Sequence, residues 1–323
     1  MRSSRDSVLV TGAAGFIGSQ LVDRLLAKGY PVIGIDNFIR GTRSNIRSAA
    51  EQPTFRLIEA DLSSGDALAQ TIIPALQGTE FSMLWHMAAN SDIPAGVSDP
   101  SVDLRDTFMT TFQSLELARK LGIRHFAFAS TSAVYGEHSG AMREDTGPLL
   151  PISNYGAMKL ASEAAISATH SLARTWIFRF PNVVGPRGTH GVIYDLLRKL
   201  QGTPDELEVL GDGNQQKPYL HVSELLDAMF YIVENGHERV NLYNIGPEDE
   251  GAKVSDIAHA VLTARGYPGT RIRYTGGDRG WVGDVPRFYY SVAKLATLGW
   301  RPNHGSADAI RRAVAELAAE IPR

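Results

Sequence analysis

Between an apolar run, Val8-Leu9-Val10, and a segment in which Ile17, Leu21, Leu25 and Leu26 recur at helical spacing lies Thr11-Gly12-Ala13-Ala14-Gly15-Phe16-Ile17-Gly18. No other stretch restricts the fold as much. Glycines at a strand-to-helix turn serve three needs at once: a tight reversal, close approach of phosphates to the backbone, and close packing of helix on strand. The helix that follows, expected over residues 16–28, would offer unpaired N–H groups and a partial positive charge to an anion. The spacing G-x-x-G-x-x-G therefore predicts a pyrophosphate-binding turn, and a glycine-rich turn without a ligand is the competing reading.

The segments downstream repeat the same alternation. Val32-Ile33-Gly34-Ile35 reads as a second buried strand ending at Asp36, 18 residues after Gly18. An acid there can accept hydrogen bonds from the adenosine ribose of NAD and would repel a 2′-phosphate, unless it is a plain turn aspartate; Arg40 stands close enough in sequence to bear on that choice. Phe55-Arg56-Leu57-Ile58, followed by Asp61-Leu62, and Met83-Leu84-Trp85-His86, followed by Met87-Ala88-Ala89, predict strands three and four. With helical patterns between them, such as residues 66–76, they imply βαβ units and a parallel sheet. Ligands bind outside the carboxyl ends of such strands, which places Asp61, His86, Ala88 and Ala89 beside a cofactor; His86 serves equally well as a core histidine with satisfied hydrogen bonds.

Composition excludes several classes. The 323 residues, 43% of them hydrophobic, suffice for one large α/β domain or two lobes sharing a cleft. Lys plus Arg (32) nearly balance Asp plus Glu (35), so no basic nucleic-acid face is expected. Zero cysteines remove disulfides, thiolate ligands and a cysteine nucleophile, and the nine histidines form no H-E-x-x-H pattern, so no metal is expected. The polar start, Met1-Arg2-Ser3-Ser4-Arg5-Asp6, and the absence of a run of about 18 apolar residues point to a cytoplasmic protein that makes no use of a membrane.

The chemistry gathers after the fifth strand, His125-Phe126-Ala127-Phe128-Ala129, which runs into Ser130-Thr131-Ser132-Ala133-Val134-Tyr135-Gly136. A polar loop over 137–151 follows, and then a helix capped by Ser153 or Asn154 that carries Tyr155-Gly156-Ala157-Met158-Lys159. Tyr155 and Lys159, four residues apart, share a helical face. A phenol with a pKa near 10 is a poor base at neutral pH, but a neighbouring ammonium and a positive nicotinamide ring favour its phenolate. Upstream, residues 103–121 predict a helix with Leu104, Phe108, Phe112 and Leu115 along one side, a stripe suited to the core or to a subunit interface.

In their order along nearly the whole chain, T-G-A-A-G-F-I-G, Asp36, Asp61-Leu62, H-M-A-A at 86–89, S-T-S-A-V-Y-G at 130–136, Y-G-A-M-K at 155–159 and F-R-F-P-N-V-V-G-P-R at 178–187 resemble the extended short-chain dehydrogenase/reductase family, in its branch of nucleotide-sugar epimerases and dehydratases. The resemblance implies an α/β fold: a Rossmann-type doubly wound parallel sheet over 1–180, with a smaller C-terminal substrate lobe over 181–323 that returns segments to the first domain. It implies Thr131 as the active-site hydroxyl, Tyr155 as acid–base and Lys159 as its partner and ribose contact. The residues expected to hold NAD are Gly12, Gly15, Phe16, Ile17, Gly18, Asp36, Asn37, Asp61, Leu62, His86, Ala88 and Ala89, together with Tyr155 and Lys159.

For the nucleotide-sugar substrate the resemblance points to Asn182, after strand six at 175–179, and to Arg187, Lys217 and Arg279; a solvated surface cation is the alternative for each of the last three. Two departures stand out. Lys217-Pro218-Tyr219-Leu220-His221-Val222 has a lysine point charge where relatives carry an arginine fork. Arg279-Gly280-Trp281-Val282-Gly283-Asp284 replaces R-x-G-D, with a two-residue offset. In the same lobe, helices are expected over 192–200, 254–266 and 306–321, and a strand over 208–210. Family members commonly dimerise through two helices that correspond to 103–121 and 154–173, so a homodimer is expected.

The expected reaction is inversion at C4 of a nucleotide-bound hexose or hexuronate, UDP-linked by preference, through a transient 4-keto sugar. Ser132-Ala133 replaces the carboxylates that dehydratases and decarboxylases of the family carry. A ketoreductase of a nucleotide sugar or natural product would keep Thr131, Tyr155 and Lys159 and stands as the alternative. A catalytically silent cofactor sensor or scaffold would typically lose the Tyr/Lys pair. Asn90-Ser91-Asp92 matches no recognisable signature.

Overall fold

Val8, Leu9 and Val10 lie inside β1 (Ser7–Thr11), almost wholly shielded from solvent, at the middle of a seven-stranded parallel sheet. The computed structural model describes residues 6–138, 140–202, 205–267, 269–280, 285 and 287–322. β1 is followed by α1 (Phe16–Ala27), β2 (Val32–Asp36), β3 (Phe55–Glu59), β4 (Phe81–His86) and α2 (Thr110–Lys120). β5 (His125–Ala129), α3 (Asn154–Ala168), β6 (Arg174–Arg179) and, much later, β7 (Val240–Asn244) complete the set. The order across the sheet is β7-β6-β5-β4-β1-β2-β3. β1 pairs in parallel with β2 on one side and with β4 on the other, so the chain winds outward in both directions from β1. At that reversal the crossover helices leave opposite faces, and a crevice opens at the carboxyl ends of the strands.

All five residues of β2 are buried, as expected of a parallel strand covered by helices on both faces. Leu9, Ile35, Leu84, Phe126, Phe128 and Ile177 from the strands meet Leu115, Leu117 and Ile166 from the helices in one apolar cluster. Fully burying a side chain of this kind stabilises by about 1.5–3 kcal/mol, whereas an exposed ion pair contributes about 0–1 kcal/mol. The apolar cluster, not the surface pairs, decides this fold.

The described residues divide into two units, each made of several stretches of chain. The first takes the chain up to Val134, Ser153–Phe178 and Gly236–Leu242; the second takes Tyr135–Ile152, Arg179–Asn235 and everything from Tyr243 onward. In the second unit, Val192–Gly202, Val254–Arg265 and Ser306–Glu320 pack Leu197, Ile257, Val261, Ala313 and Val314 into a separate core. Buried Arg265 donates to the carbonyls of Ala318 and Ile321 at 3.1 and 2.8 Å and so ties two of these helices together.

Several boundaries moved. The helix expected over 66–76 is broken into Gly65–Ala67, a wide π-type turn at Leu68–Ile72, and Ile73–Leu76. Pro74 lacks the N–H that a regular turn needs. The helix expected over 103–121 runs as Pro100–Asp103, a second π-type segment Leu104–Met109, and α2. α3 stops at Ala168 instead of 173, because the Ala173 N–H is donated to the Arg124 carbonyl (2.8 Å) on the way into β6. The strand expected over 208–210 is Glu206–Val209, with Leu210 outside it and 45% exposed. Among the described residues no helix is long and apolar enough to cross a membrane, and no group of three or more His, Cys, Asp or Glu could hold a metal ion.

Candidate active site

The turn out of β1 is built so that side chains cannot enter it. Gly12 has φ 67°, in the left-handed region, and a Cβ there would stand 2.7 Å from the Ala88 nitrogen. A Cβ on Gly18 would stand 1.9 Å from the Gly12 carbonyl oxygen. Gly15 occupies the N-cap of α1 without a capping side chain, so no side chain competes for the first-turn N–H groups around Phe16 and Ile17. This bare cradle at a twelve-residue helix fits a pyrophosphate.

At the end of β2, Asp36 accepts the N–H groups of Ala14 and Phe38, each at 2.8 Å. Burial raises its pKa while these backbone donors pull the other way. Asn37 Oδ1 accepts the Ile39 N–H at 3.1 Å, and Asp61 Oδ1 accepts the N–H and the hydroxyl of Ser63 at 2.9 and 2.8 Å. Leu62 is buried, whereas Ala88 and Ala89 stay partly exposed beyond β4. The donor set fits NAD: a carboxylate after β2, a glycine cradle after β1 and small residues after β4.

His86 departs from its expected place. It is wholly buried, with the hydroxyls of Thr11 (2.7 Å) and Ser114 (3.0 Å) at Nδ1 and that of Thr111 (3.0 Å) at Nε2. Burial, reinforced by the charge of Lys159, holds its pKa well below the ordinary 6.5. Of its two readings the core histidine is the one realised. His86 braces Thr11, whose hydroxyl accepts the Ala88 N–H at 3.4 Å, instead of lining the crevice itself.

Thr131 follows β5 directly, and its Oγ1 accepts the Ala133 N–H at 3.1 Å. Ser153 caps α3 by accepting the Gly156 N–H at 3.1 Å, which starts the helix one residue before Tyr155, whose phenol feels the Thr131 hydroxyl. One turn on, Lys159 is 2% exposed; its Nζ donates to the Ala129 carbonyl at 2.6 Å and lies 4.6 Å from the Phe128 ring centroid. Desolvation lowers the Lys159 pKa from 10.5 to about 7, against the opposing charges of Glu163 and Asp103. Desolvation likewise pushes Tyr155 above its ordinary 10.0, with the Thr131 hydroxyl opposing and Asp103 adding to the rise. Of the two charges expected to favour a phenolate together, the nicotinamide ring and the Lys159 ammonium, the latter donates to a carbonyl, and among the chain's own groups burial is the largest influence on the Tyr155 phenol.

Two acids here were not singled out in the sequence. Glu163, four residues beyond Lys159 and so on its helical face, is buried and accepts the Ser130 hydroxyl. Asp103, fully buried, accepts from Asn90 Nδ2 at 2.8 Å. The i, i+4 spacing could have found Glu163; nothing local points to Asp103. Tyr135, the other phenol near the motif, is 1% exposed, donates to Asn244 Oδ1 at 2.8 Å and carries the Arg179 guanidinium over its ring at 4.8 Å.

The expected substrate residues lie in the second unit. Asn182 starts Asn182–Val184, which pairs in parallel with Tyr219–His221 and so sits opposite Tyr219, near Lys217 in Gln216–Lys217. Arg287 was not foreseen; its guanidinium donates to Gln216 Oε1 at 2.6 Å, beside Lys217. Arg187 sits apart at φ 66°, its N–H donated to Glu320 at 2.8 Å. Arg279 pairs with Glu137 at 2.6 Å, and positions 281–284, which complete its motif, fall outside the described residues. Two adjoining cavities of this unit, about 440 and 610 Å³, are lined by residues such as Lys294, Thr297 and Arg301 and by none of the expected site residues.

Comparison with known proteins adds sequence and fold likeness. The model of the NAD dependent epimerase/dehydratase family matches residues 8–246. A putative UDP-glucose 4-epimerase of Methanocaldococcus jannaschii is 31% identical over 314 residues, covering 95% of this chain and 97% of its own. A crystal structure of a UDP-galactose 4-epimerase superposes with a TM-score of 0.83 at 34% identity, covering 98% of this chain and 99% of that one. A Bacillus cereus UDP-glucuronic acid 4-epimerase, crystallised with UDP-glucuronic acid and NAD, gives 0.84 at 27% identity, with 98% and 100% covered.

Proposed function

The chain belongs to the NAD-dependent epimerase/dehydratase family, and from that premise we propose that it is an NAD-dependent 4-epimerase of a nucleotide sugar, a UDP-hexose or UDP-hexuronate. The observation that carries the reading is the Tyr155 phenol under the influence of the Thr131 hydroxyl, which lowers its pKa, with buried Lys159 one helical turn away, while Ser132 and Ala133 occupy the places where elimination chemistry would need carboxylates. Two acids on other loops, Asp92 and Glu137, are paired with Arg40 at 2.7 Å and with Arg279 at 2.6 Å.

When bound, NAD supplies an electron-deficient nicotinamide that accepts and returns a hydride and adds positive charge near the phenol. The chain's own residues do the rest. Tyr155 takes the proton of the 4-hydroxyl and gives it back to the 4-keto oxygen; Thr131 holds that oxygen in line; Lys159 fixes the sheet side of the site through Ala129 and contacts the cofactor ribose. The glycine turn holds the pyrophosphate and Asp36 the adenosine ribose, a carboxylate that favours NAD over NADP. Asn182, Arg187, Lys217 and Arg279 are proposed to hold the nucleotide diphosphate and sugar. Arg279 would have to exchange Glu137 for phosphate.

We further propose a homodimer formed through α2 with its preceding π-type turn and α3. Leu104 and Phe112 are 50% and 45% exposed, whereas Leu115 of the same stripe is buried in the core, so the stripe splits into an inward and an outward part. The setting proposed for the enzyme is the cytoplasm, with which a cysteine-free chain agrees. Incubation with UDP-glucose, UDP-galactose and UDP-glucuronate, followed by proton NMR, tests the reading: the coupling at H4 should change in at least one of them. Consumption of added NADH with a nucleotide 4-keto sugar, and no interconversion, would favour the ketoreductase.

A further inference from the structure

Two segments with no assigned role meet in the structure. Arg40, four residues past β2, donates from Nη2 to Oδ2 of Asp92, six residues past β4, at 2.7 Å. β1 lies between β2 and β4 in the sheet. With neighbouring strands about 4.8 Å apart, a link between those two loops has to cross the carboxyl end of β1, where the glycine turn emerges.

Both ends of the link are held. On the Arg40 side, a Cβ on Gly41 would come within 2.7 Å of the Ala14 backbone, and the Thr42 N–H and Asn45 Nδ2 both donate to the Ala14 carbonyl, at 3.1 and 2.9 Å. Arg40 is thereby pinned to the glycine turn itself. On the other side, Asp92 Oδ1 caps Ile93–Ser98 by accepting the Ala95 N–H at 3.1 Å, and its own N–H is donated to Asn90 Oδ1 at 3.0 Å. Asn90 in turn is anchored to buried Asp103. The loops are ordered by these contacts, yet the two joined side chains remain 38% and 36% exposed, so the pair itself contributes little to folding and can open to water.

We propose that the Arg40–Asp92 ion pair is a clasp across the dinucleotide site that slows release of the cofactor, an inference that rests on the NAD site proposed above. A clasp suits this chemistry. Epimerisation has no net redox change and never requires the cofactor to leave, whereas a reductase that exchanges its cofactor every turnover would be slowed by one.

The test is the rate at which radiolabelled NAD leaves the full-length protein into an excess of unlabelled NAD. Asp92→Asn removes the charge and keeps the helix cap, since Asn caps as well as Asp. Arg40→Gln removes the partner, and Arg40→Lys keeps a point charge. Each neutral variant should release NAD faster, by up to about five-fold, the double variant no faster than either, and Arg40→Lys at an intermediate rate. Added salt should speed release from the unmodified protein and leave the double variant unchanged. Unchanged release in both single variants, or additive effects in the double, overturns the clasp. So does faster release matched by a fall in the melting temperature of the cofactor-free variant, which would assign a structural role. Unmodified protein that retains no dinucleotide overturns the cofactor reading and the clasp with it, whereas retention insensitive to these substitutions sinks the clasp alone.

Discussion

Tyr155 is pulled in two directions: burial and Asp103 push its phenol up, and the Thr131 hydroxyl draws it down. As acid and base for the 4-oxygen it should be replaceable by nothing nearby, because Tyr135 is sealed in the core against Asn244. Tyr155→Phe should keep the fold and NAD binding and cut turnover by roughly 10²–10⁴-fold, read from steady-state rates and NAD retention; near-normal turnover would move the role to another group. Lys159 gives a pH prediction. Its folded pKa of about 7 lies below the ordinary 10.5, so between those values the unfolded chain binds more protons than the folded one, and stability rises with pH across that window. Urea denaturation from pH 7 to 10 should show this rise, at most about 1.4 kcal/mol per pH unit, and Lys159→Met should flatten it. Tyr155 and Lys159 were legible in the sequence because a helix brings i and i+4 together. The cage around His86 was not, since its hydroxyl partners lie 25, 28 and 75 residues away.

Among the elements, the turn from β1 into α1 was the most legible, because it depends on residue type and spacing alone. Gly18→Ala should destabilise by roughly 1–3 kcal/mol as the new methyl meets the Gly12 carbonyl, and should lower dinucleotide retention; equilibrium denaturation together with NAD carried through gel filtration reads both effects. The helices were legible only in part: Val222–Asn235 was not foreseen, and others were foreseen only approximately in form. An apolar stripe announces a helix but not a π-type turn, so Leu104–Met109 went unseen, and with it the division that leaves Leu104 and Phe112 outward. Replacing both by Asp should leave far-UV circular dichroism unchanged and convert a dimer to a particle of about half the mass in light scattering. A single-chain mass for the unmodified protein would remove the pairing.

For the molecule as a whole, the parallel sheet followed from the alternation of short apolar runs and helical patterns. The path of the chain between its two units did not. That segments return to the first domain was expected, but nothing local marks Gly236–Leu242 as one of them or sends Tyr135–Ile152, a polar loop in the sequence, to the second unit. The candidate substrate region was the least legible for the same reason: Gln216, next to Lys217, and Arg287 are hydrogen-bonded although 71 positions separate them. What the whole molecule is claimed to do is remove a hydride from C4 of a nucleotide sugar and return it to the other face of the same carbon. The most direct test uses UDP-glucose carrying deuterium at C4, incubated with the NAD-loaded protein and followed by NMR and mass spectrometry. The expected product is UDP-galactose that keeps its deuterium at C4, at unchanged mass. Deuterium found at C6 with loss of water, or lost to free dinucleotide, would contradict it.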